Sequence, residues 1–130
     1  MIDCENEVYT RVAQELRAAH SGINVTGDYA NIPASFPHVS IIQSDNLTVK
    51  KYTDDEEMIQ VVFDVDIYSN AKTGKKTEAK KIAKTVSDAL FRMNFRRLHL
   101  MPIPNRDDPS IYRLTASFEA WTDGINFYRS

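Results

Sequence analysis

The sequence predicts a single α+β domain, in which one mainly antiparallel β-sheet carries two helices on one face. Three observations lead to this prediction. Strand-like apolar alternation changes to helix-like spacing between residues 58 and 94, a second amphipathic helix stands near the N-terminus, and the other apolar segments alternate as strands do. A chain of 130 residues can bury its own core without disulfides or metals, so we expect residues 1–130 to form one domain.

The first predicted element is a helix over residues 3–20. Val8, Val12 and Leu16 lie about one turn apart and form an apolar stripe. Asp3 is of a type that caps helix N-termini, and Gly22 is of a type that follows helix ends. We therefore expect a capped helix with one face on the core.

Two short strands follow, at residues 23–26 and 36–43, with a loop rich in turn-forming residues between them. Residues 44–57 have the weakest pattern in the chain and are predicted to form a long exposed loop or a hairpin arm. This stretch ends in an acidic run, made of Asp54, Asp55, Glu56 and Glu57.

The next segment is the central strand and the helix that follows it. The inward side of the strand is apolar, with Ile59, Val61, Phe63, Val65 and Ile67. The other side is predicted to be wet, with Gln60, Asp64, Asp66 and Tyr68. The helix buries one apolar stripe and presents lysines outward, among them Lys76, Lys80 and Lys84. Asn94 tolerates the left-handed conformation that closes a helix.

The last third of the chain is predicted to be mostly strand. Over residues 95–101, Leu98 and Leu100 are expected on one face, with Arg97 and His99 on the other. Residues 111–122 form the last long strand, with alternate apolar residues inward. A right-handed crossover through the second helix would make its two flanking strands parallel if they share the sheet.

Composition and charge exclude several classes of protein. The chain has 42% hydrophobic and 26% charged residues and a net charge of -2, so the molecule as a whole is no polyanion binder. Cys4 is the single cysteine, the N-terminus lacks the features of a signal peptide, and no apolar run is long enough to cross a membrane. We expect folding in a reducing cytoplasm and no membrane association.

The motifs that could carry chemistry are incomplete. TGKKT follows a strand and opens a helix, but Ser69 stands where a phosphate-binding loop needs glycine. Asp64 and Asp66 share one strand face without a third ligand at convincing spacing, and the histidines are scattered. No nucleophile with base and orienting acid stands out. We therefore expect no catalytic, cofactor-binding or metal site, and no enzymatic activity.

The second helix nevertheless carries a local basic patch in an acidic protein. Three interpretations stay open: helix solubility, contact with an acidic partner, or contact with a nucleic-acid backbone. Phe91 lies on the lysine side, where a solvated helix would place a polar residue. It is expected to pack under another part of the same chain or to contact a neighbouring subunit.

Residues 58–130 resemble a known family. The strand ending VDIYSN, the helix GKKTEAKKIAKTVSDAL, the following NFRRL, the segment PIPNRDDPSIYRLTASFEAW and the closing FYRS look like the tail-completion or tail-terminator proteins of long-tailed bacteriophages. These proteins are also labelled minor capsid or head-tail joining proteins. The family pattern has glycine just before the fourth strand, where this chain has Asn94, which can adopt the same backbone conformation.

The resemblance implies a structural protein of the virion. Such proteins form a ring, usually hexameric, that caps the head-proximal end of the tail tube, ends its polymerisation and docks it to the neck or head-closure protein. DNA passes through the ring without specific binding. The implied partners are further copies of the chain, the tail-tube protein and the neck protein.

A ring built head to tail needs two different surfaces on each subunit. The predicted pair is the acidic run, Asp54 to Glu57, and the basic helix face with Lys76, Lys80, Lys84 and Phe91. Two alternative functions remain: another head-tail connector component, such as a head-closure, neck or tube protein, and a small nucleic-acid-binding α+β domain that uses the lysines.

Overall fold

The computed structural model describes residues 1–28, 33, 35–51, 57–104 and 108–129. Within them, a helix and three strands are followed by a second helix and three further strands. The elements are α1 (Glu5–Ala19), β1 (Asn24–Thr26), β2 (His38–Lys51), β3 (Glu57–Ser69), α2 (Lys75–Arg92), β4 (Arg96–Ile103), β5 (Tyr112–Thr122) and β6 (Phe127–Tyr128). The predicted α+β class is confirmed.

The strands form one sheet with the order β1-β2-β3-β5-β4, and β6 pairs with the end of β5. β1 runs parallel to β2, whereas the other neighbours are antiparallel. Because β3 and β4 are both antiparallel to β5, they are parallel to each other, as predicted for strands joined through α2. The insertion of β5 between them leaves β4 at an edge of the sheet.

Both helices contribute to one hydrophobic core with the sheet face that they cover. Its largest fully buried side chains are Phe63, Phe95 and Phe118, and the rings of Phe63 and Phe95 meet edge to face at 5.8 Å. The predicted inward residues of β3 are all buried. The alternation in β3 and β5 therefore identified the core face correctly.

Helix α1 is shorter than predicted. It begins at Glu5, and the N-cap position is Cys4, which makes no side-chain capping bond. The carboxylate of Asp3 still accepts a hydrogen bond from the backbone N–H of Glu5 at 3.1 Å. Asp3 thus satisfies one of the free amides of the first turn, although it stands one residue before the cap.

Residues 44–51 form the second half of β2 and pair with β3, so a hairpin arm and not a loop is confirmed there. The pairs Lys50–Met58 and Lys51–Glu57 lie beyond the last β3–β5 pair, Ile59–Thr122. The arm therefore extends past β5. Residues 54–56 lie outside the described part of the chain.

The sheet face opposite the helices, called the open face below, is less wet than predicted. Asp66 and Tyr68 are only 6% and 4% exposed. Arg113 on β5 donates to the Asp66 carboxylate at 3.0 Å, and its guanidinium lies 5.3 Å from the Tyr68 ring centroid. The prediction was wrong because long side chains of the neighbouring strand cover these residues, which alternation along one strand cannot show.

The predicted division of faces on β4 was also wrong. The register of β4 on β5 shifts between Arg97 and His99, so Leu98 is the extra residue of a bulge. Arg97 lies opposite Phe118 and Leu100 opposite Ala116, which places both on the helix side of the sheet. The bulge reverses the alternation that the sequence suggested.

The end of α2 follows the prediction. Asn94 has a φ of 66°, in the left-handed region. The backbone N–H of Asn94 donates to the Phe91 carbonyl at 3.0 Å, and that of Phe95 donates to the Leu90 carbonyl at 2.9 Å. This pair of bonds is a Schellman motif, which ends the helix and turns the chain directly into β4.

Candidate assembly surfaces

A groove of about 380 Å³ lies between α2 and β4 on the helix side of the sheet. We call it the α2–β4 groove. Its lining residues are Lys80, Ala83, Lys84, Ser87, Asp88, Phe91, Arg97 and Leu100. Because β5 lies between β3 and β4, β4 is the last strand on this side of the sheet. The side of α2 that faces β4 is therefore left partly uncovered.

The floor of the groove is apolar and half exposed. Phe91 is 39% exposed, and one edge of its ring contacts Phe118 with the centroids 6.3 Å apart. Leu100 is 36% exposed. Contact of Phe91 within its own chain is thus confirmed, but a large part of the ring remains open. Half-exposed aromatic and aliphatic side chains in a concave surface are typical of binding sites.

The rim of the groove is mainly basic. Lys80 and Lys84 project from α2 and Arg97 from β4, with Asp88 as the acidic member. In the part of the chain that the structure describes, no ion pair involves the three cations. Their charge is therefore available to a partner.

The structure brings together three of the predicted interface residues: Lys80, Lys84 and Phe91. Lys76 is exposed but does not line the groove. Glu57 begins β3, whereas Asp54, Asp55 and Glu56 fall outside the described residues.

Arg97 and Leu100 were missed as members of this surface. Their position depends on the bulge at Leu98, and the bulge depends on pairing with β5. No local signal in the sequence indicates it.

The edge strand β4 carries two further exposed apolar side chains that do not line the groove. Leu98, the extra residue of the bulge, and Met101, opposite Thr115 on the open face, are 43% and 44% exposed. A sheet edge carries backbone groups that can pair with another chain, and natural proteins usually protect such an edge with charges, bulges or proline. β4 has a bulge at Leu98 and Pro102 near its end, so this edge is protected against extension of the sheet.

A second apolar surface crosses the open face of the sheet. Leu47, Gln60, Trp121 and Tyr128 stand directly opposite one another on β2, β3, β5 and β6. We call this line the tryptophan row. Leu47, Trp121 and Tyr128 are 53%, 41% and 42% exposed. The sequence does not reveal the row, because its members are far apart in the chain and meet only through strand register.

The remainder of the open face is a polar network with internal partners. The Ser117 hydroxyl donates to the Asp64 carboxylate, and Arg113 pairs with Asp66. Both carboxylates that a metal could have used are thus engaged by neighbouring side chains. No group of three potential metal ligands occurs among the described residues.

A serine, a histidine and an asparagine also meet on this face, with the serine and the histidine buried. One ring nitrogen of His38, Nδ1, lies 2.8 Å from Asn24 Nδ2, and the other, Nε2, lies 3.1 Å from Ser40 Oγ. His38 and Ser40 are only 2% and 1% exposed. Burial lowers the pKa of His38 below its usual 6.5. The arrangement serves to satisfy polar groups inside the fold.

Cys4 is likewise removed from solvent. It is 4% exposed, and burial is the main cause that raises the pKa of its thiol to about 11, with Asp3 and Glu7 adding to the effect. A protonated, buried thiol is a poor nucleophile and a poor metal ligand.

The fold and its surfaces define a small α+β domain with two separate exposed apolar regions, one on each face of the sheet. The same fold occurs in a chain from the virion of a native gene transfer agent (GTA) particle. The two share 17% sequence identity with a TM-score of 0.52, and the match covers 85% of this chain and 90% of that chain.

At this level of identity the likeness concerns the fold. Protein-family models give no match to the sequence, and neither do curated proteins. Among the described residues, no helix is long and apolar enough to cross a membrane.

Proposed function

We propose that this protein is a structural virion protein that forms a ring at the head-proximal end of a phage tail. In that position it ends polymerisation of the tail tube and joins the tail to the head. The observation that carries the proposal is the fold shared with a chain of a GTA virion, over 85% of this chain and 90% of that one. The match spans nearly the whole length of both chains and is not limited to a single motif.

The resemblance of residues 58–130 to tail-terminator proteins supports the finer role. That resemblance covers α2, the groove that α2 forms with β4, and the part of the tryptophan row on β3, β5 and β6. The proposed partners are further copies of the chain, usually six in the family, together with the tail-tube protein and the neck or head-closure protein. The protein is proposed to be made in the host cytoplasm and incorporated into the virion.

The distribution of exposed groups suits assembly better than catalysis. Two groups of exposed apolar side chains, the groove floor and the tryptophan row, lie on opposite faces of the sheet. The carboxylates of the open face, in contrast, are held by neighbouring side chains. A ring needs two different contact surfaces per subunit, and this domain has two. The proposal assigns no catalytic residue and no cofactor.

DNA is proposed to pass through the ring without binding. The net charge of -2 is compatible with an acidic or neutral wall that DNA does not stick to, since phosphate contacts supply most nucleic-acid affinity. The alternative, a nucleic-acid-binding domain, requires the lysines of α2 to contact phosphates. That alternative predicts affinity for DNA that falls steeply as salt rises, which a filter-binding titration measures directly.

Imaging the labelled protein on isolated phage tails tests the proposed position. The purified chain, carrying a gold label, is added to tails that lack it and viewed by electron microscopy. Label at one end of the tube, with tubes of uniform length, is expected. Label along the tube would identify a tube protein, and label on capsids without tails a head-closure protein.

A mass measurement tests the ring itself. Sedimentation of the purified chain, alone and with tail tubes, is expected to give a closed oligomer, with the 14.9 kDa monomer as the unit. A monomer in both conditions would contradict the proposed assembly.

A further inference from the structure

The tryptophan row has the composition of an interface centre. Tryptophan and tyrosine are enriched among the residues that contribute most to binding, because they bury large area with few rotatable bonds. Here Trp121 and Tyr128 are neighbours on adjacent strands, and Leu47 completes the row on β2. Leu47, Trp121 and Tyr128, with the polar Gln60 between Leu47 and Trp121, would lose much exposed surface against a partner.

A carboxylate lies beside each end of the row. Asp45 precedes Leu47 by two residues on the same face of β2, and it is exposed. At the other end, the Tyr128 hydroxyl donates to the Asp123 carboxylate at 3.1 Å. The row thus presents three large apolar side chains, with a carboxylate beside each end.

The α2–β4 groove presents the complementary pattern. Its floor contains Phe91 and Leu100, and its rim contains Lys80, Lys84 and Arg97. Cations beside an apolar floor can pair with the carboxylates at the ends of the row and can contact the aromatic faces of its centre. If the rows of two copies met, carboxylates would face carboxylates. If their grooves met, cations would face cations. Both symmetric pairings are therefore disfavoured.

The two surfaces also agree in length. Four strands spaced by about 4.8 Å give the row a length of about 14 Å. With a helical rise of about 1.5 Å per residue, the stretch of α2 from Lys80 to Phe91 is about 16 Å long. The row is therefore about as long as the α2 side of the groove.

We propose that the tryptophan row of one copy docks into the α2–β4 groove of a second copy. This inference rests on the proposed ring and specifies its subunit contact. Because the row is on the open face and the groove is on the helix side, each copy can offer its row to one neighbour and its groove to the other. Such a head-to-tail contact is the kind that closes into a ring.

Directed cross-linking distinguishes the possible pairings. Two variants of the full chain, Leu47→Cys and Leu100→Cys, are oxidised separately and after mixing. A cross-linked dimer is expected only in the mixture, because each variant supplies one half of the contact. Wild type, in which Cys4 is buried, should give none. A mixture of Leu47→Cys with Leu98→Cys is the matched control, since Leu98 is exposed on β4 but does not line the groove.

Fluorescence gives a second reading, because Trp121 is the single tryptophan. Its emission is expected to move to shorter wavelength as the protein assembles, and Phe91→Ser is expected to raise the concentration needed for this shift at least about tenfold.

Each outcome either supports the inference or overturns it. A cross-link between two Leu47→Cys chains would show that the tryptophan rows of two copies meet, and this would contradict the proposal. Assembly on tails without the mixed cross-link, or without the fluorescence shift, would overturn this contact and leave the proposed function standing. A chain that neither assembles nor caps tails would refute both.

Discussion

Phe91 meets Phe118 edge to face with the ring centroids 6.3 Å apart, so a half-exposed side chain on the outer side of α2 is anchored to a fully buried one on β5. The contact fixes where the aromatic floor of the groove lies. Phe91 therefore has two roles. The part of its ring that contacts Phe118 supports the fold, and the exposed part is free to bind.

Substitution of Phe91 should therefore affect assembly more than stability. For Phe91→Ser we expect the free energy of unfolding to fall by about 1–2 kcal/mol, since only part of the ring is buried. Urea unfolding of the monomer measures this loss, and sedimentation measures assembly. Leu98→Ser, at a similarly exposed position outside the groove, should leave assembly intact. Equal loss of assembly in both variants would argue against a role for the groove.

Loss of the Arg113 side chain should destabilise the fold more strongly. Arg113→Met leaves the nearly buried Asp66 carboxylate without its cation, which should cost about 3 kcal/mol. The double variant with Asp66→Asn removes the uncompensated charge and should recover part of that loss. Urea midpoints of the single and double variants measure the difference. No recovery in the double variant would mean that packing over Tyr68, and not charge, is the main contribution of Arg113.

His38 should make stability dependent on pH. Burial lowers the pKa of His38 in the folded state below the usual 6.5, so the unfolded chain takes up a proton at higher pH than the folded one. The stability contributed by neutral His38 is complete above pH 6.5 and is lost as the pH falls through the interval down to the folded-state pKa.

Thermal unfolding of the wild type and of His38→Gln across pH 5–8 would show this difference, with a flatter profile in the variant. His99→Gln, which changes an exposed side chain on β4, is the control and should keep the wild-type profile. The same slope in His38→Gln and wild type would contradict the assignment.

Asn94 should tolerate glycine but not alanine. Asn94 has a φ of 66°, in the left-handed region that asparagine tolerates and alanine disfavours, so Asn94→Ala should lower the free energy of unfolding by about 1–2 kcal/mol. Asn94→Gly adopts this conformation freely but loses the hydrogen bond that the Asn94 side-chain amide donates to the Phe127 carbonyl at 2.9 Å. Its effect on the free energy of unfolding should therefore be near zero. Chemical denaturation of both variants tests the order. If alanine were no worse than glycine, backbone conformation would not be what selects this residue.

Charge reversal on α2 should depend on position and not on total charge. Lys80→Glu with Lys84→Glu changes the rim of the groove, whereas Lys76→Glu with Lys81→Glu makes the same change in net charge outside it. At low salt, the first pair should weaken assembly at least about tenfold and the second much less. Sedimentation at two salt concentrations measures both. Equal effects of the two pairs would favour a general charge effect, as expected if the lysines serve only solubility.

The sequence by itself determined the local elements of this protein. The change from two-residue to helical spacing located β3 and α2, the alternation in β5 identified its core face, and Asn94 marked the end of α2. These features are readable because they depend on residues that are close in the chain, where side-chain direction and backbone preference follow directly from residue type.

Only the tertiary structure decided which exposed residues form a surface together. The insertion of β5 between β3 and β4, the bulge at Leu98 and the alignment of Leu47 with Trp121 all depend on pairing between distant segments. A shift of one residue in such a register turns a side chain to the other face of the sheet. For that reason the lysines of α2 could be predicted as an interface, whereas Arg97, Leu100 and the tryptophan row could not.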